Sequence, residues 1–241
     1  MASEDHLDLI FQWEVRTWSR AFPLWRKRLQ GIAARGGRAL ALGERDGGLS
    51  LMLAEHGFNT VCSDLRGPTD KARILHKAMG QDHAIAYAII DATAIAEPDA
   101  QFDVVVFKSM LGALSTKERQ AQALREMHRV LKPGGVLLFA ENLGGTRIHR
   151  WLRGRFTNWA GYWRYLDRKD DLDLFAPFVH VHVESTGFLA ALGRTERQRD
   201  LLARLDAVLC PLLPSNWHTV LFGAATKAAL LKTADRSGSG G

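Results

Sequence analysis

Cysteine is scarce in this chain: two residues, Cys62 and Cys210, among 241. So few exclude a disulfide framework or a cysteine-built metal cluster. Cys62 falls inside an apolar run and reads as a small core residue. Long apolar runs are missing too. No stretch reaches the roughly 20 apolar residues that a membrane-spanning helix needs. A secretory leader would open on basic and then apolar residues, whereas Glu4, Asp5 and Asp8 stand here. Together these gaps point to a reducing, cytoplasmic setting. His180 and His182 share a strand face with Glu184. No third ligand is evident and a polar strand face explains the pair, so no metal is expected. Nor does one sign of charge dominate: 32 basic residues against 26 acidic ones leave a net +6. That balance permits an anionic partner without naming one, and a mildly basic surface explains it as well.

What is present is enough apolar content, 46%, to fill the core of one large α/β domain with or without an appendage. The chain is organised around Arg38-Ala-Leu-Ala-Leu-Gly-Glu-Arg-Asp-Gly-Gly-Leu-Ser50. Ala39 to Leu42 has the length of a buried parallel strand. Gly43 breaks it, and Leu49, Met52 and Leu53 share one face of a helix that His56-Gly57 close. Strand, glycine turn and helix make a cofactor-cradling unit, because glycine admits close backbone approach and a helix N-terminus offers free N–H groups. An ordinary βα turn would look similar. Val61-Cys62-Ser63-Asp64 then reads as a second buried strand ending in an acid, and such an acid can accept from a ribose diol.

The remaining pattern is regular. Phe11, Val15, Trp18, Phe22, Trp25 and Leu29 recur at helical spacing over residues 1–30, with a kink or two short helices expected at Pro23. This stripe suits packing, a lid over a site, or a dimer surface. Gly36-Gly37 lead out of it. Residues 69–80 predict a helix ending at Gly80. Ala84–Ile90 predict a third strand before Asp91-Ala92, and Val104–Phe107 a fourth before Lys108-Ser109. Ser115 with Glu118 suggests a capping box, and Leu124, Met127 and Leu131 give the helix that follows an apolar edge. Val136–Ala140 predict a fifth strand before Glu141-Asn142. Residues 144–177 are rich in arginine and aromatics, including Trp159. Thr195 and Gln198 open a helix whose buried side is expected at Leu201, Leu202, Leu205, Val208 and Leu209, and His218–Thr226 predict the last strand. Residues 231–241 read as a polar, glycine-rich, flexible tail.

Five βα units in succession imply a doubly wound parallel sheet, in which ligands bind beyond the carboxyl ends of the strands. Glu44, Asp64, Asp91, Lys108, Ser109, Glu141 and Asn142 all fall there.

The order of these pieces resembles the class I S-adenosylmethionine-dependent methyltransferases over about residues 36–227. The contacts are Leu42-Gly43 through Gly47, Asp64, Asp91-Ala92, Phe102-Asp103-Val-Val-Val and Leu131-Lys-Pro-Gly-Gly135. More narrowly, Phe107-Lys-Ser-Met-Leu-Gly112, Phe139-Ala-Glu-Asn-Leu143 and Trp163-Arg-Tyr165 resemble a bacterial group associated with polysaccharide and small-molecule biosynthesis. The resemblance implies an α/β fold: a doubly wound, seven-stranded Rossmann-like sheet over residues 36–230. An N-terminal helical lid (1–35) would precede it, with an Arg/aromatic insert (144–177) after the fifth strand. It implies S-adenosylmethionine as cofactor. Gly43, Glu44 and Gly47 would lie by its methionine part, Asp64 and Leu65 by the ribose, Asp91 and Ala92 by the adenine, and Lys108 by the methionine end through its backbone. The chain departs from the family twice. Ala41 stands where an acid usually holds the cofactor's ammonium group, and Arg45 replaces the second glycine; Glu44 or Asp46 are candidate substitutes.

Methyl transfer to a hydroxyl needs alignment, exclusion of water and removal of a proton. His149 and Glu141 are the candidate bases, although His149 also fits a solvent-facing helix and Glu141 an arginine partner. Ser109 and Asn142 stand at the acceptor edge. Arg147, Arg150 and Arg164 can clamp a phosphate or carboxylate, and Trp163 and Tyr165 can stack on a ring. The expected partner is a small-molecule acceptor, anionic in one version, with a sugar hydroxyl favoured. RNA is the second reading, disfavoured for want of a separate RNA-binding module. A methyltransferase fold that has lost methyl transfer is the third, supported by Ala41 and Arg45.

Overall fold

The computed structural model describes residues 6–33, 37–156 and 161–229. The expectations placed on Gly36, Trp159 and the 231–241 tail lie outside these residues. Seven strands form one sheet in the order β3-β2-β1-β4-β5-β7-β6. They are β1 (Arg38–Leu42), β2 (Asn59–Asp64), β3 (Ile85–Ile89), β4 (Phe102–Lys108), β5 (Leu131–Asn142), β6 (Val179–Thr186) and β7 (Val220–Thr226). The first five run parallel, while β7 pairs antiparallel with both β5 and β6. Crossover helices on both faces keep the central strands dry, so β1 and β4 read as unbroken apolar runs.

Alternate residues of those strands feed two cores. Leu40, Leu42, Val105 and Phe107 pack with Leu124 and Met127 of α6 (Lys117–Val130). Ala39, Ala41, Val104 and Val106 face the other way, toward α4 (Gly48–Glu55) and three N-terminal helices. These are α1 (Leu7–Phe11), α2 (Val15–Trp18) and α3 (Phe22–Ala33). The aromatic stripe is therefore core: Phe11, Trp18, Phe22, Trp25 and Leu29 are all buried. Each such side chain contributes roughly 2–3 kcal/mol by leaving water. Trp25 also donates its indole N–H to the Gly223 carbonyl of β7 at 3.1 Å. A stripe spent this way is not a dimer surface. It breaks at Gln12 and Glu14, both at positive φ, rather than at Pro23, which sits in the first turn of α3 where its missing N–H costs nothing.

Three further expectations shift. Thr116, not Ser115, caps α6 by accepting the Arg119 N–H, because Ser115 has turned left-handed at φ 69°. His182 pairs with Glu184 at 2.9 Å on an exposed strand, while His180 sits at φ 50° where the β6–β7 register slips. Among the described residues no group of His, Cys, Asp and Glu could hold a metal. In α8 (Glu196–Leu209), opened by the expected Thr195/Gln198 capping box, Leu201, Leu205 and Val208 face solvent. The opposite face docks instead, because buried Asp206 accepts the N–H groups of Phe188, Leu189 and Ala190 at 2.8–2.9 Å. Three charge-assisted bonds to the buried carboxylate fix this face against the loop. The remaining helices are α5 (Asp70–Ala78) and α7 (Arg147–Phe156).

Candidate active site at the carboxyl edge of the sheet

At the ends of β2 and β3 the side chains stand free. Asp64 accepts only the Arg66 N–H, at 3.0 Å through Oδ1, so Oδ2 has no protein partner among the described residues. Leu65 and Ile89 beside it are 61% and 73% exposed, a high exposure for apolar side chains. Asp91 takes both Thr93 N–H and Thr93 hydroxyl on Oδ1, at 2.8 and 2.7 Å, and these bonds hold its carboxyl below the usual range. Its Oδ2 has no partner among the described residues, and Ala92 is buried. Two carboxylates with spare lone pairs flanking bare apolar surface fit a ribose diol and an adenine ring.

The glycine turn is more closed. Gly43, at φ 64°, carries the Met110 side chain over it, in the space a Cβ would need. Gly47, at φ 86°, faces His76 and Ala72 of α5 rather than the edge, and Gly48 abuts the carbonyls of Leu9 and Ile10. Glu44 is buried, and its carboxylate accepts the N–H groups of Leu49 and Ser50 at the start of α4. Burial pushes its pKa up to about 7 against those bonds. Asp46 accepts the Thr69 hydroxyl at 2.8 Å. Glu44 is not spare, so it does not take over the role of the acid that Ala41 lacks, whereas Asp46 keeps its Oδ2 without a partner among the described residues. Of the three positions assigned to the methionine part, only Gly43 faces the edge.

Lys108 ends β4 with its ammonium buried. It donates to the Phe11 carbonyl at 2.7 Å and lies 2.9 Å from the Trp13 ring centroid. Burial pulls its pKa well below the lysine range, against the pull of Glu14, Glu44 and Glu141. The side chain thus fastens the α1–α2 turn over the strand end, and Glu14 of that turn is paired with Arg199 of α8 at 3.2 Å.

Both expected bases are spent. Glu141 is fully buried and accepts the backbone N–H groups of Met110, Leu111 and Asn142 at 2.8, 2.7 and 2.7 Å; burial raises its pKa against these bonds. It buttresses the loop after β4 instead of facing an acceptor or an arginine. His149 is buried rather than solvent-facing: its Nδ1 accepts from the Thr146 N–H (3.2 Å) and lies 2.8 Å from the Thr146 hydroxyl, and its Nε2 lies 2.9 Å from the Phe188 carbonyl. Those partners assign the neutral tautomer with the proton on Nε2.

The acceptor-side residues divide. Ser109, at φ 52°, accepts the Asn142 amide N–H at 2.7 Å. Arg164 is engaged by Gln120 and buried Asp171, at 2.5 and 2.7 Å, and so is not a free clamp. Trp163 packs on Gly112, and Tyr165 lies under the Arg153 guanidinium at 4.4 Å. Arg147 and Arg150 remain exposed on α7. Sequence reasoning missed Ile89, Met110 and Trp13, whose roles follow from loop packing; an acid inside an apolar helical stripe was the available signal for Asp206.

A doubly wound sheet with half-used acids after β2 and β3 is an arrangement that suits a nucleotide cofactor. Comparison with known proteins narrows this. Residues 40–139 match the family model described as a methyltransferase domain. YqeM of Bacillus subtilis, which carries a provisional methyltransferase name, is 32% identical over 116 residues, 48% of this chain and 46% of that protein. The malonyl-[acyl-carrier protein] O-methyltransferase of Enterobacter lignolyticus is 34% identical over 107 residues, 44% of this chain and 39% of that protein. The matched stretch thus spans less than half of each of these relatives. In fold, the chain is similar to Haemonchus contortus phosphoethanolamine N-methyltransferase 2 solved with S-adenosyl-L-methionine. The TM-score is 0.61 at 19% identity over 95% of this chain and 60% of that one. It is also similar to the [4+2]-cyclase SpnF, with TM-score 0.56 at 20% identity over 84% and 80%. Residues 40–139 thus match a methyltransferase domain, and the chain has the fold of the class I S-adenosylmethionine-dependent methyltransferases.

Proposed function

We infer that the protein transfers the methyl group of S-adenosylmethionine to a small-molecule acceptor, with a hydroxyl of a sugar or related metabolite as the acceptor group. The observation that carries this reading is the pair of half-used carboxylates, Asp64 and Asp91, flanking exposed Leu65 and Ile89 in a methyltransferase fold. When bound, the cofactor supplies an electrophilic methyl on a sulfonium. Asp64 takes the ribose hydroxyls, Leu65 and Ile89 flank the adenine, and Asp91 with the Ala92 backbone reaches its amino group. Gly43 lets the chain turn beside the methionine end. Ser109 is held left-handed beside Asn142, a strained position of the kind that recurs at active sites, and the pair orients the acceptor hydroxyl, whose proton passes to solvent as its oxygen takes the methyl group. The α1–α2 turn, fastened by Lys108, keeps water off the strand ends.

One observation favours a second reading, a methyltransferase fold without methyl transfer. Met110 covers Gly43, and Glu44 is spent within the protein. Calorimetric titration with S-adenosylmethionine and S-adenosylhomocysteine separates the two. The first reading expects micromolar binding that Asp64→Ala weakens about 10- to 100-fold, the weight of a hydrogen bond to a charged group. It also expects methyl transfer to at least one sugar or metabolite in an acceptor screen. Cofactor binding without any transfer supports the second reading. No binding at millimolar ligand overturns the first.

A further inference from the structure

Beyond β5, the insert and the start of α7 border an open cleft of about 610 Å³ that includes Phe188 and Trp217 in its lining. That volume is in the range of small-ligand sites. Its walls are held by buried polar groups. His149, 3% exposed, bridges the Thr146 turn at the start of α7 to the Phe188 carbonyl and meets the Phe188 ring edge-on at 5.1 Å. Asp206, 3% exposed, accepts the Phe188 N–H and the next two. Phe188 in turn stacks against Trp217, with centroids 6.1 Å apart and planes within 24°. An aromatic wall fixed from three sides is preorganised, which removes ordering cost from whatever binds there.

The polar lining has a definite character. Arg147, Arg150 and Lys169 bring three cations to the cavity, and Asp167 and Asp170 bring two carboxylates. Arg150 donates to the Gly145 carbonyl at 3.0 Å, which folds its guanidinium back over the α7 start. Forked guanidiniums beside the first turn of a helix suit a phosphate. Half-exposed Trp217 offers an apolar face to sugar C–H groups, and the two carboxylates offer acceptors to sugar hydroxyls. We propose that this cavity binds a phosphorylated sugar, the phosphate held by Arg147, Arg150 and Lys169 and the sugar ring laid on Trp217. The proposal rests on the methyl-transfer reading only in making that sugar the acceptor; the binding itself stands apart from it. His149 and Asp206 then act as positioning residues for the aromatic wall, which is why a buried histidine stands on a helix that otherwise faces solvent.

The test is calorimetric titration of the full chain with glucose 1-phosphate, galactose 1-phosphate and glucose 6-phosphate, with inorganic phosphate and free glucose as reference arms. At least one sugar phosphate is expected to bind ten times or more tightly than either reference. Arg147→Ala should weaken it at least tenfold, and the exposed Lys169→Ala severalfold with no cost in folding. Trp217→Ala should reduce the sugar phosphate to the affinity of inorganic phosphate. Equal affinity for all five probes, or binding unchanged in Arg147→Ala and Lys169→Ala, overturns the proposal. S-adenosylhomocysteine is titrated into the same samples. If it binds and no sugar phosphate does, the cavity proposal fails and the methyl-transfer reading stands. If a sugar phosphate binds with the expected variant pattern and the cofactor does not, the reverse holds.

Discussion

The two ends of the sheet's carboxyl edge use the same residue types for opposite purposes. After β2 and β3, Asp64 and Asp91 keep a lone oxygen each and stand in or near solvent, beside the bare side chains of Leu65 and Ile89. After β5, Glu141 and His149 are buried, and every polar atom they have meets a partner in the chain. A carboxylate with an unused oxygen at a strand end is equipped to bind. A carboxylate that collects three backbone N–H groups holds a loop in place and has nothing left for an acceptor. Reading Glu141 as a base because it is an acid at a strand end overlooks what its lone pairs are already doing.

The comparison breaks most visibly at Glu141. Replacing it with alanine orphans three buried N–H groups, and the expected loss is about 3–5 kcal/mol of unfolding free energy. Denaturant unfolding measures it, and Glu141→Gln, which keeps an acceptor, should lose less. Full stability in Glu141→Ala would return that residue to the list of free functional groups. Glu44 sharpens the contrast through pH. Its pKa lies near 7 in the folded protein against an ordinary 4.5, so the folded state holds a proton that the unfolded chain has released. Its contribution is complete below about pH 4.5 and declines as pH rises to about 7, by up to about 3 kcal/mol. Urea midpoints of the parent protein should therefore fall relative to those of Glu44→Gln across that window. Parallel curves would place Glu44 outside the buried cap. The smallest effect on folding is expected at the opposite end of the sheet. Leu65→Ser and Ile89→Ser should change stability by no more than about 0.5 kcal/mol, since both side chains already face water. Calorimetry should nonetheless find S-adenosylhomocysteine bound about 3- to 10-fold more weakly by each, the weight of roughly 1 kcal/mol of apolar contact. Destabilisation without loss of affinity would assign these side chains to packing.

Much of the frame was legible from residue order. The stretches Ala39–Leu42, Val61–Asp64, Val104–Phe107 and Val136–Ala140 read clearly as strands because a doubly covered parallel strand is apolar in its middle, whereas Leu131, expected on the preceding helix, opens β5. The half-used acids were legible too, since Asp64 and Asp91 follow their strands and the sheet's topology places strand ends together. The aromatic stripe at the N-terminus was legible as a helix face, but not its destination, because a stripe of tryptophan and phenylalanine suits core and partner equally. The face of α8 was read backwards for a related reason. Leucine spacing marked one side for burial, while the decisive group was a single acid, Asp206, whose three partners lie 16 to 18 residues away in the chain.

By itself, the order of residues determined the elements, their parallel succession and the edge at which a ligand must sit. These depend on periodicity and turn chemistry, which are local. The tertiary structure alone decided which polar groups at that edge remain free. Whether His149 is a base or a pillar depends on the Phe188 carbonyl 39 residues away, and whether Lys108 faces a ligand or fastens a turn depends on Phe11 and Trp13, nearly a hundred residues before it. A lone pair is spent by whatever comes within 3 Å, and only the folded chain determines what does.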